Sequence, residues 1–239
     1  MFIINSLIID QHYCGPSESG NGGYSAGLVA ANVPFPAEVT LRKRPPLNKP
    51  MRLIVDNGTA QLLDGDVLIA EAKKQENFEL EIPPVVDLKA AQEASKHYYG
   101  FEFAPFPNCF VCGHLRRYGE GLKIHAGRVV PGVVASPWVP YPNLAGKNGV
   151  VKTAYIWAAL DCPGAWALLD HEEVVVLGRI AVKQVRPVRA EEPYVVMGWV
   201  IGREGRKTWT GTAVFNENKE VCAYAKATWI TIQTAITPS

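Results

Sequence analysis

No apolar run in this sequence approaches the roughly 18 residues that a membrane-crossing helix needs, so no span is expected. Charge of one sign is also lacking. The 24 Lys and Arg stand against 23 Asp and Glu, a net charge of +1 that gives no support for a nucleic-acid partner. Cysteine is sparse and odd in number: Cys14, Cys109, Cys112, Cys162 and Cys222. That is no disulfide framework; it points to a reducing compartment, and so to a cytoplasmic location. The opening residues MFIINSLIIDQHYCG have no basic segment and meet Asp10 early, so they read as a strand rather than a secretory leader.

What is present suits an ordinary globular protein. Hydrophobic residues make up 48% and charged residues 20% of 239, enough for one large domain or two small ones. The most informative stretch is Asn148 to Leu169, NGVVKTAYIWAALDCPGAWALL. Ala154, Trp157, Ala158 and Asp161 recur at helical spacing and share one face. Asp161 is the sole carboxylate in the run. Burying it alone is costly, so it must be partnered, capping or functional. Pro163 lacks an amide donor, so the helix is expected to kink or restart beside Asp161.

Elsewhere, Phe2 to Ile9 reads as a strand. CGPSESGNGG, Cys14 to Gly23, is a glycine-rich loop, and Tyr24 to Val33 a buried helix ended by Pro34 and Pro36. Glu38 to Arg44, MRLIVD, TAQLLD and DVLIAEAKK read as strands, with a hairpin turn at Asp64-Gly65. Ile82 to Asn108 is a connector whose short helix has Asp87 as its N-cap. GLKIHAG and VVPGVVASPWV read as two more strands. Four further strands follow the apolar stretch: VVVLGRIAVKQVRP, PYVVMGWVIG, KTWTGTAVFN and VCAYAKATWITI.

The halves repeat each other. Val39 to Val55 matches the run from Ile180, each carrying an Arg-Pro pair (Arg44-Pro45, Arg186-Pro187). The stretch from Asp64 matches that from Asn218, and Asn21-Gly22-Gly23 echoes Asn148-Gly149-Val150. The boundary falls near Gly100, dividing the chain into residues 1–100 and 101–239. A helix with a long antiparallel sheet, present twice, is an α+β arrangement.

In that order, NGGYSAGLVA, NCFVCG with the later Gly121-Leu122, and AALDCPGAWA resemble the hot dog-fold thioesterase superfamily, as a tandem double hot dog acyl-CoA thioesterase-like protein. The resemblance implies two curled antiparallel sheets, each wrapped round a central helix. It also implies an acyl-CoA substrate, no cofactor and a homo-oligomer, which would cover the sheet edges. In such proteins the helix start of one half faces the helix acid of the other. Here only the second helix carries an acid. One site per chain is expected, with Asp161, Gly22 and Gly23 catalytic and Asn21, His12, Trp157 and Arg186 touching substrate. Basic strand ends, Arg42, Lys43, Arg44, Lys183, Arg186 and Arg189, offer partners for coenzyme A phosphates.

Plainer readings stand beside these. Gly22 and Gly23 make a turn that Asn21 caps. Asp161 caps a helical segment restarting at Pro163. Such thioesterases usually support the acid with a Ser or Thr and a Gln; Gly178 and Ala225 stand near those places, with Thr228 and Gln184 of unsettled facing. The alternative function is a non-catalytic acyl or acyl-CoA binding protein. Cys109 and Cys112 have metal-knuckle spacing, but with only His114 or His125 to assist, the ligand count is short and no metal is expected.

Overall fold

The computed structural model describes residues 3–76, 78–168 and 174–232. Its strands are β1 (Ile3–Leu7), β2 (Ala37–Leu41), β3 (Met51–Asp56), β4 (Thr59–Asp64), β5 (Val67–Lys74), β6 (Gly127–Val130), β7 (Val133–Trp138), β8 (Val174–Gln184), β9 (Tyr194–Glu204), β10 (Lys207–Phe215) and β11 (Val221–Ile232). The helices are α1 (Gly22–Ala30), α2 (Leu88–Lys96), α3 (Thr153–Ala159) and α4 (Cys162–Leu168). The chain is therefore α+β, with one large antiparallel sheet and few helices. None of the described helices is long and apolar enough to cross a membrane.

All eleven strands among the described residues join in one sheet, ordered β1-β3-β4-β5-β2-β8-β11-β10-β9-β7-β6. The seam between the halves is β2 against β8, antiparallel from Ala37↔Val182 to Thr40↔Arg179. Outward from it, β5, β4, β3 and β1 on one side answer β11, β10, β9 and β7 on the other. The repeated segments of the sequence thus occupy matching places. At the seam's centre Val39 faces Ile180, and both are fully buried. Each such side chain contributes about 1.5–3 kcal/mol by leaving water. Arg179 spans the same join, donating to Thr40 Oγ1 at 3.1 Å.

Alternation along the second-half strands separates two cores. On β9, Val196 packs in the core that also holds the α1 and α3 side chains, whereas Val195 and Met197 pack on the other face. There the segment leading into the connector, through Phe78, and the connector itself, through Ala91, cover the sheet. Tyr224 fastens it by donating to the Phe78 carbonyl at 3.0 Å. Asp87 caps α2 as expected, accepting the Ala90 N–H at 2.8 Å.

Three local expectations need correction. GLKIHAG forms no strand before Gly127; β6 begins there, and Ile124 and Ala126 are buried as irregular chain. The first helix runs Gly22–Ala30 rather than Tyr24 to Val33. The apolar stretch is two helices, with Val150 and Val151 in isolated bridges before α3 and Leu169 outside the described residues. The break lies at Leu160 and Asp161, because Pro163 cannot donate back and is tolerated only in a first turn. The freed Leu160 carbonyl accepts the Thr212 hydroxyl at 2.7 Å.

Candidate active site

The shared face of Ala154, Trp157, Ala158 and Asp161 packs on α1. Two glycines one turn apart make this approach possible. A Cβ on Gly23 would sit 2.5 Å from the Asp161 Cβ and 2.6 Å from the Trp157 carbonyl. A Cβ on Gly27 would sit 2.8 Å from the Ala154 Cα. With both bare, Asp161 reaches the start of α1. Its Oδ2 accepts the Gly23 N–H at 2.7 Å. Asn21 is the N-cap of the same helix, accepting the Tyr24 N–H at 2.9 Å. The positive end of α1 therefore meets a carboxylate from the other half of the chain.

Asp161 is 3% exposed. Burial raises its pKa to about 7, opposed by the Gly23 hydrogen bond and reinforced by Cys109. Its Oδ1 is buried and has no partner among the described residues. The capping reading is half right: the carboxylate does cap, but it caps α1 across the helix pair. At the start of α4 it is the Asp161 backbone carbonyl that accepts, from the Gly164 N–H at 3.0 Å.

Asp161 lies on the wall of a cavity of about 420 Å³. The wall is mainly apolar, with Leu41, Phe106, Trp166, Leu177 and Trp229 among its residues; Asn21 and Gly22 join it, and Arg42, Lys43 and Arg44 lie on one side. All three cations are exposed, and Arg42 is held by Glu71 at 2.9 Å. Gly178, near the place expected of a supporting side chain, lines the cavity with none. Gln184 instead donates to the Arg186 carbonyl at 3.2 Å.

Of the residues singled out in the sequence, the structure brings Asp161, Asn21, Gly22 and Gly23 together. The other three do not line the cavity. His12 is exposed, edge-on to Tyr13, and off the cavity wall; burial of its ring and nearby Arg116 lower its pKa. Trp157 is fully buried behind α1, against Phe35. Arg186 is exposed and paired with Glu220 at 2.9 Å.

Two groups escaped sequence reasoning. Thr210 and Thr212 are fully buried; Thr212 donates to the Leu160 carbonyl, and Thr210 accepts the Trp229 indole N–H at 2.9 Å. Their alternation in KTWTGTAVF was the available signal. The second is a cysteine cluster. The loop from Cys109 folds onto the first half, with the Phe110 N–H donating to the Cys14 carbonyl at 2.7 Å. This sets Cys109 and Cys112 beside Cys162, all three buried and all on the cavity wall. Within this trio Cys112 is held low by hydrogen bonds from Cys109 and Cys162, which are themselves held high.

No protein-family model and no curated protein matches the chain by sequence. Solved structures do match. A tesB protein of Mycobacterium avium subspecies paratuberculosis aligns with a TM-score of 0.63 at 12% identity, over 97% of this chain and 93% of its own. An acyl-CoA thioesterase II from Mycobacterium marinum gives 0.62 at 10%, over 97% and 94%. A protein of unknown function with hot dog fold from Alicyclobacillus acidocaldarius gives 0.61 at 11%, over 98% and 94%. A shorter match, to a thioesterase superfamily protein, spans 46% of this chain and 55% of that one, with a TM-score of 0.44 at 17% identity. At full length the fold expected from the sequence is met in these solved structures: the chain has their fold, and one of them is named for its hot dog fold.

Proposed function

We propose that the chain is an acyl-CoA thioesterase-like hydrolase acting on a thioester of coenzyme A, with one active site per chain. The observation that carries this reading is Asp161, buried on the wall of an apolar cavity and aimed at the first turn of α1. The cavity offers room for an acyl chain, and Arg42, Lys43 and Arg44 offer charge for phosphates. The match to a protein named acyl-CoA thioesterase II supports the same class.

In the proposed mechanism Oδ2 stays on the Gly23 amide, fixing the carboxylate, while Oδ1 takes a proton from water as it attacks the thioester carbonyl. The C–S bond then breaks, the acid is released, and the departing sulfur recovers the proton as a thiol. The Gly23 N–H is already engaged. Gly22, with no acceptor for its N–H among the described residues, is the remaining amide of the turn for the developing oxyanion. We divide the site between residues 1–100 and 101–239, read as two hot dogs with one central helix each. We propose self-association through the sheet edges β1 and β6.

One observation favours a non-catalytic acyl or acyl-CoA binding protein. Gly178 presents no side chain to the cavity, and among the described residues that line it there is no Gln or Thr, and the one Ser is Ser19 in the loop before α1. A thiol-release assay over a panel of acyl-CoAs separates the two. Turnover that requires Asp161 supports the hydrolase. Saturable binding without thiol release replaces it with the binding protein.

A further inference from the structure

Two cysteines at knuckle spacing fall short of a metal site, and the fold supplies a third. The sulfurs of Cys109, Cys112 and Cys162 all lie within 4.8 Å of one another. Those of Cys109 and Cys162 are 3.6 Å apart. A tetrahedral zinc site with zinc–sulfur bonds of about 2.3 Å has sulfur–sulfur edges of roughly 3.8 Å. The trio is thus close to the spacing the ion requires, with small movements of side chains only.

The surroundings suit thiolates. The Asn21 side-chain amide lies 3.8 Å from the Cys109 sulfur and 3.9 Å from that of Cys162. Such N–H donors are the outer partners that hold ligating sulfurs in place. The turn is fixed by Gly113, whose N–H donates to the Cys109 carbonyl at 2.9 Å and where a Cβ would lie 2.5 Å from that oxygen. His114 and His125 are not members of the cluster.

We propose that Cys109, Cys112 and Cys162 form a three-thiolate zinc(II) site whose fourth coordination position opens to the cavity. Three soft donors select a thiophilic cation over magnesium or calcium. All three residues line the cavity, so a water or an entering ligand completes the shell. Binding displaces the thiol protons, so uptake is accompanied by acid release. The site is independent of the hydrolase reading, because its test measures metal and not turnover.

The test titrates the full-length protein with cobalt(II), kept reduced by a phosphine, and then displaces cobalt with zinc. The expected result is a sulfur-to-cobalt charge-transfer band that saturates at one equivalent, has the intensity of three thiolates, and disappears on adding zinc. Cys162→Ser and Cys112→Ser should weaken binding beyond the roughly 10–100-fold cost of losing an outer partner. Cys14→Ser and Cys222→Ser should leave it unchanged. If a cluster variant does not fold, the band intensity of the wild-type protein still counts the sulfurs. No saturation at one equivalent, a band worth two thiolates or fewer, or loss of binding in Cys14→Ser alone overturns the proposal. Displacement by copper(I) but not by zinc overturns the identity of the ion.

Discussion

Asp161 lies 138 positions from Gly23 in sequence, yet its Oδ2 sits 2.7 Å from that glycine's amide nitrogen. Each half of the chain supplies what the other lacks: α1 contains no acid, and the acid of the second half needs a donor.

The first prediction removes the charge and keeps the shape. Asp161→Asn retains an oxygen to accept the Gly23 N–H, and Asn caps helices about as well as Asp. Stability should fall by no more than about 1 kcal/mol, read from urea unfolding, and near neutral pH it should rise, because the buried negative charge that raises the Asp161 pKa is gone. Thiol release should fall on the order of 10²-fold or more, the scale of lost general-base catalysis. Unchanged turnover would show that the carboxylate is only a cap.

A second concerns the helix contact. Gly23→Ala puts a methyl group 2.5 Å from the Asp161 Cβ and against the backbone of α3. Overpacking of this kind costs about 1–3 kcal/mol. Gly202→Ala, where nothing lies within 4 Å, should stay within about 0.5 kcal/mol of wild type. Equal denaturation midpoints for the two variants would refute the close-approach account.

Substrate charge provides a third. Lys43→Glu combined with Arg44→Glu should raise KM for acyl-CoA about tenfold, since exposed pairs contribute up to about 1 kcal/mol each. It should leave kcat, and the KM of a phosphate-free acyl thioester, nearly unchanged. Arg186→Glu, away from the cavity, should affect neither substrate. A uniform rise in KM for both thioesters would argue against phosphate recognition at this rim.

The fourth is a pH dependence. Burial lowers the His125 pKa to about 4, with Lys123 adding to the shift. The unfolded chain, with an ordinary histidine near 6.5, binds the proton first. His125 therefore contributes full stability above about pH 6.5, and that contribution is lost as pH falls toward 4. Asp161, with its raised pKa, pulls the other way over much of the same window. The informative quantity is thus the difference in urea midpoint between wild type and His125→Phe at pH 7 and pH 4.5. The variant keeps a ring against Tyr98, which stacks on His125 at 5.0 Å. It should lose less stability than wild type on acidification; a parallel loss in both would refute the assignment.

Much of this arrangement was legible in the residues. Strand alternation gave the long strands, the Arg-Pro pairs gave the repeat, and helical spacing gave the face on which Asp161 stands. Pro163 marked the break. What stayed hidden was long-range. Gly23 looked like a donor because glycine turns expose amides; its second role, letting α3 approach, depends on a partner helix that no local pattern names. Cys162 sat next to Asp161 in plain view, but only the fold carries Cys109 and Cys112 to it. Arg186 repeats the Arg44 pattern, yet the repeat extends to sequence and not to surroundings: one lies by the cavity, the other pairs with Glu220.

The β2–β8 seam has a consequence for the chain's history. Two identical copies meeting at such a seam would be bound by symmetry to present the same helix start and the same acid twice. Joined in one polypeptide, the copies are free to drift apart. Here α3 begins at Thr153, its N-cap residue Lys152 makes no side-chain cap, and α1 offers it no carboxylate. The crossing point equivalent to Asp161 and Gly23 offers no acid, while the one that holds them also holds Cys109, Cys112 and Cys162, a cluster that a symmetric pair would have to carry in duplicate.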